Sequence, residues 1–313
     1  MSAGTDLALY ADDTKISRRI CTDDDHITLQ ADIDYLNNWA ICNKMKSHPL
    51  KCKVLSLRQS PLPLVEVLPF VQHFYSLGNC LLEYVESEKD LGVDMTPKLS
   101  WSQQCNRLYS KANQQLGMTK RNAFFIIDIQ KRRLLYIALV RSQFEHCSII
   151  WRPTGTSMSN KLESIQKRSI KWILNEEHES YSSWQKYILK CKQLNILPLS
   201  KRFDLNDILF LHKIVHKLIL VSFPHYMTFF QGVSRLRSTH LDSLSLVSSI
   251  TPSSPTNAFA NSFFYRSHCL WNRIPFCIRE NSCPRSFKTL VLAYLWKEVL
   301  SDLDDPYDSD ETF

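Results

Sequence analysis

Ten residues near the start of the chain constrain it most: Leu7-Ala8-Leu9-Tyr10-Ala11-Asp12-Asp13-Thr14-Lys15-Ile16. Residues suited to a strand lead into two adjacent carboxylates, and a second strand-like run follows. The pattern predicts a tight β-hairpin with Asp12 and Asp13 near its tip, where Asp favours turn geometry. Two carboxylates side by side on a rigid turn repel one another and call for a compensating positive charge. Mg²⁺ is the strongest candidate, because it takes oxygen ligands and commonly uses one or two carboxylates together with substrate phosphates. Two such ions about 3.5–4 Å apart clamp the attacking and leaving oxygens of a phosphoryl transfer. A solvated Asp-Asp turn without a ligand satisfies the same pattern, so the pair alone decides nothing.

After the hairpin, Thr22-Asp23-Asp24-Asp25 supplies a helix start, with acids where the helix dipole favours them. Leu29, Ile33, Leu36 and Ala40 then recur at helical spacing, which predicts an amphipathic helix ending before Pro49 and covering a face of the sheet that holds the hairpin. Lys51 to Leu57 reads as a strand. Pro61, Pro63 and Pro69 mark residues 60–70 as a connector. Phe74 to Leu82 is a hairpin candidate with Gly78-Asn79 as its turn, and Val85 to Val93 adds a strand.

From Ser100 the period becomes helical. Trp101, Cys105, Leu108, Ala112 and Leu116 form one apolar stripe, with Arg107, Lys111, Lys120 and Arg121 outside it. A second helix spans Lys131 to Ile150 with Arg132, Arg133 and Arg141, and a third runs from Ser159 to Leu174 with Lys161, Lys167, Arg168 and Lys171. Further helices are predicted around Tyr181, Trp184 and Tyr187, over Lys201 to Leu220 (largely buried), and over Ser286 to Leu300. Residues 238–257 are rich in Ser, Thr and Pro and read as a linker. Asn261 to Ile278 forms an aromatic cluster around Phe263, Phe264 and Trp271; its aromatics beside Arg266 and Arg273 read as a small core or, alternatively, as a base-stacking surface.

Charge sharpens the picture. Residues 1–60 balance eight basic against eight acidic side chains, whereas Lys98 to Lys171 holds fourteen Lys/Arg against only Asp128, Glu145 and Glu163. Residues 301–313 are acidic and read as a disordered tail. A dense basic middle in an otherwise balanced chain suggests a polyanion partner, though charge runs also occur simply as solvated faces. No apolar run approaches the roughly 18–20 residues that span a bilayer, and the N-terminus lacks the basic and apolar parts of a secretory leader. The expectation is therefore no membrane partner and a cytoplasmic or nuclear location. None of the ten cysteines stands in a Cys-x-x-Cys pair, which predicts free and mostly buried thiols. His212 and His216 lie one helical turn apart without the Glu of a His-Glu-x-x-His site and read as two histidines on a wet face.

Several of these words, in order, carry a resemblance. Tyr10-Ala11-Asp12-Asp13 resembles the catalytic hairpin of reverse transcriptases. Leu29-Gln30-Ala31-Asp32-Ile33-Asp34-Tyr35-Leu36 with Trp39, Glu88-Lys89-Asp90-Leu91-Gly92-Val93, Ile150-Trp151-Arg152-Pro153, Leu197-Pro198-Leu199-Ser200-Lys201-Arg202 and Trp271-Asn272-Arg273-Ile274-Pro275 resemble the sequence that follows it in non-LTR retrotransposons of the jockey-like type. The likeness extends over residues 7–295. It implies an α/β palm remnant (catalytic hairpin plus helix and strands) over residues 1–95, a basic helical thumb over 96–178 and a helical C-terminal region over 179–300. It further implies RNA-directed DNA polymerase chemistry, with Asp12 and Asp13 as catalytic metal ligands for Mg²⁺.

The nucleic-acid contacts implied are Tyr10, Lys51, Lys89, Gly92, Arg107, Lys111, Lys120, Arg121, Arg141, Lys167 and Arg168. Of these, Lys51 reads from the residues alone only as an exposed lysine at a strand start, and Gly92 only as a turn residue. The partners implied are an RNA template and an RNA/DNA duplex, with a dNTP only if further palm and fingers are supplied. Such an enzyme needs another metal-binding carboxylate upstream of the hairpin, and only nine residues precede Tyr10. The expectation is a back half of a polymerase, inactive alone. The alternatives are a non-catalytic nucleic-acid-binding module and a pseudogene product.

Overall fold

A computed structural model describes residues 1–57, 73–153, 155–176, 178, 181, 183–231, 242–251 and 259–304. The connector at 60–70 lies outside them, as do most of the tail at 301–313 and parts of the linker at 238–257. The chain forms two compact units, Met1–Ser100 and Trp101–Phe313.

The first unit begins with the expected hairpin, β1 (Thr5–Tyr10) against β2 (Asp13–Arg18), in a register that sets Tyr10 opposite Asp13. Ala11 takes a left-handed φ of 52° in the two-residue turn, as primed hairpin turns require. Helix α1 (Asp23–Cys42) starts where the acids predict. Asp25 accepts hydrogen bonds from the backbone N–H groups of Cys21 and Thr22 at 3.0 Å each and from Arg18 Nη2 at 2.9 Å. These donors hold the Asp25 carboxyl far below the usual carboxylate range. Since the folded pKa is depressed, the stabilisation is present above the ordinary carboxylate pKa and is lost as pH falls below it. Thermal melts between neutral pH and about pH 3 should show this unit weakening on acidification, and Asp25→Asn should flatten that dependence at a cost already present at neutral pH.

Beyond α1 the strands are short. A 3₁₀ turn at Pro49–Lys51 replaces the start of the strand expected from Lys51, because Pro49 seeds a turn; only β3 (Lys53–Val54) is extended. β4 (Ser76–Leu77) and β5 (Cys80–Leu81) form the hairpin predicted at Gly78-Asn79, and β6 (Glu83–Tyr84) pairs parallel with β3. The single strand expected from Val85 to Val93 is instead a second tight hairpin, β7 (Glu88–Asp90) and β8 (Val93–Met95). Leu91 and Gly92 both adopt positive φ at its tip, 45° and 89°, which reverses the chain in two residues. Every sheet among the described residues is therefore two-stranded, and α1 covers no broad sheet. Its apolar stripe meets a small cluster in which Ile33, Tyr75 and Leu82 are buried against Ile16, Leu29 and Val54. With so little apolar burial, polar ties matter: the Gln30 side-chain amide exchanges hydrogen bonds with the backbone of Ser76, at 2.9 and 3.0 Å.

The second unit is mainly helical. Helix α2 (Ser102–Asn122) buries Cys105, Leu108, Ala112 and Leu116, four residues of the predicted stripe. The long helix expected over Lys131 to Ile150 is broken into α3 (Ile129–Leu135), a π-turn segment at Tyr136–Arg141, α4 (Ser142–Glu145) and α5 (Ser148–Trp151). Cys147 breaks it with a left-handed φ of 51°, and the fully buried Trp151 closes the corner by donating its indole N–H to the His146 carbonyl at 2.7 Å. Helix α6 (Thr156–Leu174) packs on α2, α7 (Trp184–Gln193) and α8 (Leu199–Val215). Gln166 of α6 donates to the Leu197 carbonyl and the Tyr187 hydroxyl, both at 2.9 Å, and accepts from the Tyr136 hydroxyl at 2.7 Å. Glu163 accepts the Leu199 backbone N–H at 3.0 Å, a carboxylate at the start of α8. Such buried bonds link helices on both sides of residue 178 within the second unit.

Helix α8 stops short of Leu220 because Lys217 turns left-handed and the N–H groups of Lys217 and Leu218 close on Ile214 and Lys213. Part of the linker expected at 238–257 is a strand: β10 (Leu246–Ser248) pairs with β9 (Met227–Phe229). The cause is tertiary, since the Asn272 side chain both donates to the Leu246 carbonyl (2.8 Å) and accepts its N–H (3.0 Å). Helices α9 (Phe263–Arg273), α10 (Phe276–Arg279) and α11 (Pro284–Asp304) complete the unit, and α11 runs into the beginning of the segment expected as a tail.

Two further expectations are corrected. The cysteines are free, but only Cys105 and Cys191 are buried, and Cys21, Cys42, Cys80, Cys277 and Cys283 are exposed. His212 and His216 are not on a wet face: His212 is buried against Phe287, and the Nε2 atoms lie 2.7 and 3.0 Å from the carbonyls of Asn281 and Arg279. Among the described residues no helix is long and apolar enough to cross a membrane.

Candidate nucleic-acid interface and carboxylate hairpin

The carboxylate hairpin stands clear of the small core. Asp12 and Asp13 are both exposed, and Leu9 and Tyr10 are 68% and 66% exposed. Lys15 of β2 forms an ion pair with Asp90 at 2.5 Å, which ties this hairpin to the β7–β8 hairpin carrying Lys89 and Gly92. Two words far apart in sequence thus share one neighbourhood. Lys51 lies exposed at the end of the 3₁₀ turn. Among the described residues no group of three or more His, Cys, Asp or Glu side chains is arranged to hold a metal. Two adjacent exposed carboxylates are too few to hold a pair of metal ions.

In the second unit the basic residues divide into two sets. The first set is turned inward. Arg132 donates to the carbonyls of Ile126 (2.5 Å) and Trp172 (2.7 Å), and Arg133 to that of Leu194 (2.6 Å), so they satisfy carbonyls at the ends of α6 and α7. Arg141, expected to contact nucleic acid, is only 13% exposed and pairs with Glu145 at 3.0 Å, which also accepts Arg202. Arg152 pairs with Asp204 and Asp207.

The second set lies along α6. Lys161 reaches Asn106 at 2.7 Å and sits 4.8 Å over the Tyr109 ring; Arg168 donates to Asn113 at 2.8 Å. Both side chains lean onto α2. On the other flank Lys167 lies 5.3 Å over Tyr187 and Lys171 5.1 Å over Tyr181. None of these four cations forms an ion pair among the described residues. They are held by amide oxygens and ring faces, which fix position without cancelling charge. Lys111 and Arg121 are exposed on α2, while Arg107 and Lys120 are half-buried there, Arg107 2.5 Å from the Gln104 side-chain oxygen.

Lys161 and Lys171 belong to the ridge as much as Lys167 and Arg168. Their spacing is the available signal: Lys161 and Arg168 stand seven apart, Lys167 and Lys171 four apart, so each pair shares a face. No family model matches the chain, and neither a curated protein nor a solved structure matches it.

Proposed function

We propose that this chain binds the backbone of a nucleic-acid duplex through the α6 ridge, as the C-terminal part of a non-LTR reverse transcriptase. The observation that carries the binding reading is that Lys161, Lys167, Arg168 and Lys171 form no ion pair among the described residues and are placed by amide oxygens and ring faces, with the buried Glu163 the one carboxylate acting on Lys167. Backbone contacts of this kind set affinity and register but carry no base preference. The polymerase part of the reading is supported by the resemblance and by the Lys15–Asp90 ion pair, which holds the Asp12-Asp13 hairpin beside the Glu88–Val93 word. In that reading the hairpin is a palm remnant and α2 to α6 are a thumb. Mg²⁺ held by Asp12, with Asp13 beside it, would supply Lewis-acid stabilisation of phosphoryl oxygens. The protein's own contribution is to present both carboxylates on a turn that cannot splay, and to grip the duplex.

The test combines extension and binding. The double variant Asp12→Asn, Asp13→Asn should keep the wild-type melting temperature, since both side chains are exposed and isolated from the core. It should bind duplex as wild type does, and it should abolish any Mg²⁺-dependent primer extension seen with a longer polypeptide. Undiminished extension by that variant would remove the catalytic assignment and leave the binding module.

A further inference from the structure

The second unit contains an open cleft of about 570 Å³ that the α6 ridge does not line. One wall is a face of α9, where Tyr265, Arg266, Cys269, Leu270 and Arg273 recur at helical spacing. The opposite wall includes Arg152 and Asp204. A volume of this size suits a small organic ligand.

A charge network holds the lining arginines from behind. Asp207, 1% exposed, accepts Arg266 Nε at 2.8 Å and Nη2 at 3.1 Å, and Arg152 Nη1 at 3.1 Å. Arg152 Nη2 reaches Asp204 at 2.7 Å. Arg266 also donates to the carbonyls of Asn261 and Ile149. The two guanidinium groups are matched by two carboxylates and locked in place. Arg273 is the third arginine, exposed and without an ion pair among the described residues. The cleft therefore carries one positive charge in excess, beside N–H groups of Arg152 that its two carboxylates leave unused. Along the same wall as that charge, Leu270 and Tyr265 offer an apolar surface with a ring.

We propose that this cleft binds a nucleoside monophosphate, with the phosphate on Arg273 and Arg152 and the base against Tyr265 and Leu270. Planar guanidinium forks recognise a phosphoryl group in two-bond fashion, and one surplus charge suits a single phosphate better than a polyphosphate chain. The same chemistry is offered by a free nucleotide and by one residue of a single strand. The proposal does not rest on the α6 ridge.

Cys269 lines the cleft and is half-buried, whereas Cys42 is exposed elsewhere. The experiment follows alkylation of each by peptide-resolved mass spectrometry on the full chain, with AMP, adenosine, inorganic phosphate or a short oligoadenylate added. AMP should slow Cys269 roughly tenfold and leave Cys42 unchanged, while adenosine or phosphate alone should protect far less. Arg273→Gln should weaken AMP roughly tenfold without moving the melting temperature. Protection by oligoadenylate but not AMP assigns the site to a strand; equal protection assigns it to the nucleotide unit itself. Replacing the four α6 cations by Gln should leave the AMP effect intact, so a failed ridge and a failed cleft are told apart. The proposal is overturned if neither AMP nor oligoadenylate protects Cys269, if phosphate alone protects as well as AMP, or if Arg273→Gln binds as wild type.

Discussion

Raising the salt from 50 to 200 mM should weaken duplex binding by this chain on the order of 100-fold, since four phosphate contacts give a slope of log K against log salt of roughly −3.6. Four is the number of α6 cations that form no ion pair among the described residues: Lys161, Lys167, Arg168 and Lys171. Changing all four to Gln should bring the slope towards zero and reduce affinity at low salt by a similar factor. Single changes should each remove close to one unit of slope. The loss should be the same for duplexes of any base composition, because contacts to the phosphate backbone carry no base information. Arg132, Arg133 and Arg141 supply the control. They add to the same charge excess in the sequence, yet their guanidinium groups are spent on carbonyls and on Glu145, so conservative changes there should alter stability and not the salt slope. Fluorescence anisotropy with a labelled duplex over a salt series measures all of this. A quadruple variant with the wild-type slope would place the duplex elsewhere.

That contrast also shows what the sequence could reveal. A count of Lys and Arg between residues 98 and 171 locates a basic region but cannot say which charges are already used. The hairpin at Asp12-Asp13, the start of α1 at Thr22 and the turn at Gly78-Asn79 are legible because each is set by neighbouring residues: an Asp at a turn, a carboxylate at a helix start, a glycine with positive φ. The break at Cys147 is not legible, because Leu and Ile continue at helical spacing through it and only the buried Trp151 indole explains the corner. Strand β10 hides in a Ser-rich stretch because what fixes it lies elsewhere, the strand β9 on one side and the Asn272 side chain of a later helix on the other. His212 and His216 read as wet for the same reason, their acceptors lying at Asn281 and Arg279. The cleft was half visible: the aromatics beside Arg266 and Arg273 were apparent, but not that Asp207 would neutralise Arg266 and leave Arg273 in excess. The palm expected from the hairpin is the opposite case. The hairpin and α1 form, but the described strands pair only two by two and make no broader sheet.

Asp207→Ala should destabilise the second unit by about 3–5 kcal/mol, the cost of removing one partner from a buried ion pair. The size follows from position. Asp207 sits on α8 and binds Arg152, just beyond α5, and Arg266 on α9, so its loss leaves two guanidinium groups withdrawn from water with only Asp204 between them. The Lys201–Glu298 pair, 2.9 Å long but with both side chains about a quarter exposed, provides the comparison; Glu298→Gln should cost no more than about 1 kcal/mol. Asp207→Asn should fall between the two, since the amide keeps one acceptor and the shape of the site while losing the charge. Urea unfolding followed by tryptophan fluorescence separates these outcomes, because Trp151 and Trp271 are both fully buried in this unit. Acid unfolding linked to Asp25 belongs to the other unit and should be unaffected. A cost below about 1 kcal/mol for Asp207→Ala would mean that water reaches the pair. Arg152 and Arg266 would then be partly solvated cations and no longer a locked, buried network.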